Sequence, residues 1–93
     1  MIKHIVMFKL KDRSTAPQMK ARLMEIEGNI DVIREWEVGI NIGESSKPYD
    51  VVVYSAFDSL ADVATFRKHP KHVEVVESIK PLIETSGTVD YER

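Results

Sequence analysis

The sequence predicts an α+β protein with the element order βαββαβ, and three observations carry that prediction. Residues 2–10 alternate at the two-residue period of a strand, and stretches rich in β-branched and aromatic residues return around 36–42 and 51–57. Two other segments, one beginning near residue 16 and one near residue 60, repeat apolar residues at helical spacing. The single loop-rich stretch, "NIGESSKPYD", lies between the two middle strands and reads as a hairpin loop.

The first strand puts Ile2, His4, Val6, Phe8 and Leu10 on one side and Lys3, Ile5, Met7 and Lys9 on the other, so both sides hold apolar groups. In the first helix, over about 16–29, Met19, Leu23, Ile26 and Ile30 recur at helical spacing. Thr15 can cap this helix, and Pro17 suits its first turn, where a missing N–H needs no partner. The second strand aligns Trp36, Val38, Ile40 and Ile42 on one face, and on the third Val51, Val53, Ser55 and Phe57 alternate with Val52, Tyr54 and Ala56. Ser59, with Asp62 following, marks the start of a short helix that runs to about Lys68. Pro70 opens another, with His69 ahead of it as a cap and Val73, Val76, Ile79 and Ile83 as the buried stripe, until Pro81 shortens it. The acidic residues Glu74, Glu77 and Glu84 give this last helix a charged outer face. "TSGTVDYER" reads as a short last strand interrupted by Gly87.

Right-handed crossovers convert this order into a four-stranded antiparallel sheet with the helices on one face, the ferredoxin-like arrangement. The other face stays uncovered, yet Ile5, Met7, Val52, Tyr54 and Ala56 make it too apolar for water. The same face of a second copy is the simplest cover, which predicts a homodimer whose sheets close into a dimeric α+β barrel.

The 93 residues fit one domain, 1–93, and a formal charge of -2 from 13 basic and 15 acidic residues gives no cationic footprint for nucleic acid. There are no cysteines, which removes disulfides, thiolate nucleophiles and thiolate metal sites. No segment has the apolar length of a signal peptide or a membrane span, so the chain reads as a cytoplasmic protein without a membrane partner.

Four stretches, "MIKHIVMFKLKD", "YDVVVYSAFDSL", "FRKHPKHVEVVESIKPLI" and "VDYE", resemble the Dabb family, the stress-responsive dimeric α/β-barrel domain, over essentially the whole chain. The resemblance implies the ferredoxin-like fold and the homodimeric barrel. Among family members with an assigned reaction, it points to plant polyketide cyclases, which run a cofactor-free aldol condensation in a pocket between sheet and helices. It implies that His72 matches their base and that His4 corresponds to a strand-one histidine. Their assisting tyrosine falls at Phe66, whose ring has no hydroxyl to donate.

Face alternation brings His4, Val6, Phe8, Val53, Phe66, His72 and Val76 toward one mostly apolar cavity. His72 and His4 are the candidate catalytic residues, because an imidazole titrates near neutral pH and can move a proton. Their plain structural readings are a histidine hydrogen-bonded at a cavity edge and a satisfied core histidine. Val6, Phe8, Val53, Phe66 and Val76 are the candidate substrate-binding wall, and Trp36 and Tyr54 are aromatic residues of core or interface. His69 and His72 lack a third ligand, so no metal site is expected, and no phosphate loop or nucleophile triad calls for a cofactor.

Two function classes follow. The first is a stress-responsive-type dimer of undefined activity that binds a small hydrophobic molecule between sheet and helices. The second is a cofactor-independent cyclase- or isomerase-like enzyme with His72 as general base, and a cofactor-free monooxygenase, known on similar dimeric barrels, is a weaker third. Stoichiometric zinc or magnesium should leave the melting temperature unchanged, since a metal held by the native state would raise it by mass action. An upward shift that disappears in His69→Ala would show a metal site instead.

Overall fold

Every residue from 1 to 93 is described by the computed structural model. Four strands, β1 (Ile2–Leu10), β2 (Glu35–Ile40), β3 (Val51–Phe57) and β4 (Ile83–Glu92), form one antiparallel sheet in the order β2-β3-β1-β4. Three helices, α1 (Ala16–Met24), α2 (Leu60–Lys68) and α3 (Pro70–Ile79), supply its cover, with one-turn 3-10 helices at Arg13–Thr15 and Lys80–Leu82. The ferredoxin-like α+β arrangement is as the alternation predicts. No helix is long and apolar enough to cross a membrane.

The pleat of β1 sorts the molecule into two sides. Phe8 pairs with Val51, Val6 with Val53, His4 with Ser55 and Ile2 with Phe57, and all of these except Val6 are buried. Their intervening neighbours point the other way, where Met7, Val52, Val89 and Tyr91 stay exposed and Lys3 Nζ, Tyr54 Oη and Glu35 form a polar cluster, the Lys3–Tyr54 bond being 2.7 Å. The helix side is closed by a cluster that joins Met19, Leu23, Ile26 and Ile30 to Val63, Phe66, Val75 and Ile79.

Several boundaries differ from expectation. Helix α1 stops at Met24 rather than near 29, because Glu25, Ile26 and Glu27 donate to carbonyls three residues back and Gly28 then takes a φ of 79°. Ile26, in the turn, and Ile30, beyond it, are nevertheless buried. Thr15 makes no side-chain cap; its hydroxyl donates to the Asp12 carbonyl, while Asp12 caps the preceding 3-10 turn. Ile42 lies beyond β2 and is 99% exposed in the loop.

In α3 the buried column is Val75 and Ile79, flanked by half-buried His72 and Val76, and Val73 faces outward. The expected stripe lies one column off, and Ile83 belongs to β4 because Pro81 tightens the chain into a 3-10 turn first. Glu84 therefore lies on β4 and not on the last helix. Strand β4 is also long rather than short: Gly87 pairs with Met7 inside a ladder that runs in one register from Ile2 to Lys9 and shifts only between Lys9 and Leu10, so Gly87 does not interrupt it. The Ser59 and His69 caps form as expected, Ser59 Oγ accepting from Asp62 N–H and His69 Nδ1 from Lys71 N–H at 3.0 Å.

A buried carboxylate ties the end of β1 to the start of β3. Asp50 is 3% exposed, accepts from Leu10 N–H at 2.8 Å and forms an ion pair with Arg13 Nε at 3.1 Å, while its own N–H donates to Phe8 O. Asp50→Ala leaves the Leu10 amide without an acceptor and should destabilise the protein by about 2–3 kcal/mol, the cost of orphaning a buried donor that had a charged partner. Arg13→Ala, which removes a half-exposed partner, should lose less than about 1 kcal/mol. Urea midpoints at constant slope measure both.

Candidate functional site

His4 sits on an inner strand with a neighbour on each side. Across β3 it faces Ser55, whose hydroxyl donates to the His4 carbonyl at 3.2 Å. Across β4 it faces Asp90, and its Nδ1–H donates to Asp90 Oδ1. Direct register partners on one sheet face stand close enough for such a bond, so the pair is a product of pairing and not of sequence proximity. The second Asp90 oxygen faces an Arg67 guanidinium nitrogen at 3.5 Å. Edge-on contacts with Phe57 and Phe66, at 6.2 and 5.9 Å between ring centres, fix the plane of the imidazole.

His72 reaches the same place from the helix layer. The chain leaves α2, takes an extended conformation at His69 and restarts at Pro70, so the last turn of α2 and the first turn of α3 meet at a corner. That corner sets the Phe66 and His72 rings 4.4 Å apart. His72 Nδ1 lies 3.1 Å from the Arg67 carbonyl, which can only accept, so Nδ1 carries the proton and neutral His72 keeps its lone pair on Nε2. Burial pushes the His72 pKa below the usual imidazole value, with the Arg67 carbonyl working against that shift. His69 uses its own ring to cap α3.

Between these histidines is a cavity of about 70 Å³ under the helices. Its wall contains every residue named from the sequence, His4, Val6, Phe8, Val53, Phe66, His72 and Val76, and is completed by Leu23, Ile26, Trp36, Ile79 and Ile83. Ten of those twelve are hydrophobic, so the polar chemistry lies with the two imidazoles. Trp36 Nε1 is buried without a hydrogen-bond partner. Tyr54 is on the opposite face with Lys3 and Glu35. No cluster of three His, Asp or Glu side chains could hold a metal ion.

Neither Asp90 nor Arg67 is singled out by the sequence. Asp90 becomes a partner of His4 only once β4 is in register with β1, and a strand taken to be interrupted at Gly87 gives no register. The Arg67 contact to His72 runs through a backbone carbonyl, which carries no side-chain signature. A larger groove of about 360 Å³ crosses the open sheet face beneath the β2–β3 loop, but no histidine or carboxylate lines it. The smaller cavity is therefore the candidate site.

Known proteins share this framework. The family model for the stress responsive A/B barrel domain, Dabb, matches residues 2–93. A stress-response A/B barrel domain-containing protein of Arabidopsis thaliana is 28% identical over 98 residues, covering 97% of this chain and 36% of that protein, so the chain spans about a third of its length. An uncharacterized protein of Streptomyces coelicolor is 32% identical over 77 residues, which is 77% of this chain and 79% of that one. Among solved structures, a dimeric protein of unknown function and ferredoxin-like fold from Bacteroides fragilis superposes with a TM-score of 0.86 at 33% identity, covering 99% of this chain and 95% of that one. The chain belongs to the Dabb family of stress responsive A/B barrel domains.

Proposed function

We propose that the protein is a cytoplasmic homodimer that holds a small, mostly apolar molecule between sheet and helices, with the polar end of that molecule at His72 and His4. The lining of the cavity carries this reading: an apolar wall with two imidazoles, each oriented through Nδ1 by a second group. Such a wall can desolvate a hydrocarbon body and orient one polar group. At about 70 Å³ the cavity is well below the roughly 300–1,000 Å³ of drug-sized sites, so the ligand is small or only one end of it enters. A chemical-shift screen of small apolar molecules tests the reading. Saturable shifts at Val6, Val53 and Val76 are expected, and their absence with every probe would defeat it.

The dimer is supported by the exposed Met7, Val52, Val89 and Tyr91 on the open sheet face, and by the dimeric state of the Bacteroides fragilis relative. Light scattering at micromolar concentration should give twice the chain mass of 10.6 kDa, and Val52→Glu should shift it to the monomer.

The geometry of His72 favours a second reading, a cofactor-independent proton transfer. Its Nδ1–H is occupied and burial favours the neutral ring, which leaves the Nε2 lone pair free to act as a base. His72→Ala should abolish such turnover and leave the dimer intact, and Phe66→Tyr should raise cyclase-like turnover by supplying a hydroxyl. Stability gives a measurement that needs no substrate. Because the folded-state pKa of His72 lies below its unfolded value of about 6.5, the unfolded chain takes up the proton first. The His72 contribution is complete above that value and is lost as pH falls from there through the folded pKa. His72→Gln should therefore flatten the stability curve of the wild type between pH 7 and about 5.

A further inference from the structure

The cavity has an uneven supply of hydrogen-bonding groups. His72 Nδ1–H is engaged with the Arg67 carbonyl and His4 Nδ1–H with Asp90, so neither is available to a ligand. Phe66, beside both rings, has no polar atom. Trp36 Nε1 is the remaining N–H in the wall, and it is buried, with no surface exposed to a probe the size of water. It is also the only buried side-chain polar atom without a partner; His72 lines the cavity, and its Nε2 makes no hydrogen bond within the chain. A neutral imidazole whose Nδ1 bears the proton offers a lone pair at Nε2 and nothing to donate. Burial favours that neutral form in His72.

From this imbalance we propose that the cavity selects hydroxyl-bearing molecules, an alcohol or the hydroxyl end of a larger compound, over carbonyl compounds of the same shape, with His72 Nε2 accepting the hydrogen bond. A carbonyl oxygen placed against His72 Nε2 meets a lone pair, and gains nothing there for the hydrogen bonds it loses to water. A hydroxyl replaces one of them. At about 70 Å³ the space is roughly half of the 150 Å³ cavity that accepts benzene in another protein, so the body that accompanies the hydroxyl is a short aliphatic group. The inference rests on the small-molecule reading above and adds the polarity of the ligand.

Isopropanol and acetone share one heavy-atom skeleton and differ in whether the oxygen donates, which makes them the test pair. In the wild-type protein, long-range nitrogen spectra should show His72 with its proton on Nδ1, and isopropanol should move the Nε2 resonance as it saturates. Isopropanol should bind about fivefold more tightly than acetone, the worth of one neutral hydrogen bond. His72→Phe, checked for folding by its backbone spectrum, should bring that ratio to about one. Equal or tighter binding of acetone by the wild type, or a His72 proton found on Nε2, would overturn the proposed polarity while leaving the binding reading in place. If neither probe perturbs Val6, Val53 or Val76, the binding reading and this inference fall together.

Discussion

Strand β1 lies between β3 and β4, and every side chain on it has to meet the demands of one of two faces. That constraint organises the rest of the molecule. A register slip of one residue would drive Lys3 and Lys9 under the helices and turn His4 and Phe8 toward the open face. The register is held from both sides, by the ladders to β3 and β4 and by Asp50, which ties the Leu10 amide to the beginning of β3. Because β1 is fixed, His4 is fixed, and through it the position and acceptor geometry of Asp90.

The helix layer meets that strand through a break. A continuous helix from Leu60 to Ile79 could not bring Phe66 and His72 ring to ring as they stand. The extended residue at His69 and the missing N–H of Pro70 interrupt the hydrogen-bond ladder and turn the axis. His69 supports the restart by capping it, and Arg67 uses its carbonyl, left over at the end of α2, to hold His72. Helix-end groups that would otherwise lack partners are thus what orient the cavity imidazole.

Local periodicity makes much of this legible. Alternation in β1 and β3 is enough to assign the helix-facing and open sides, and Ser59, His69 and Pro70 announce their turns through chemistry that acts within a few residues. Val73 falls outside the buried stripe expected of it because a helical stripe read over a few positions can sit one column off, and only the packing partner decides between columns. Ile42 and the end of α1 depend on where a turn begins, and the weak local preferences there do not determine that. Asp90 and Arg67 are beyond reach for a different reason: one is set by long-range pairing and the other by a backbone group. The apolar wall of the site is therefore readable in advance, while the groups that orient its polar atoms are not.

Trp36 is the sole tryptophan of the chain, and it stands in the cavity wall 5.9 Å from the Phe66 ring with its indole nitrogen buried and unpartnered. Indole emission is sensitive to local polarity and to neighbouring groups, and no second tryptophan dilutes the signal. The protein thus carries its own optical probe in the wall of the candidate site. Water or a guest entering the cavity alters the surroundings of a single fluorophore, so filling and emptying of the site can be followed in the unlabelled protein.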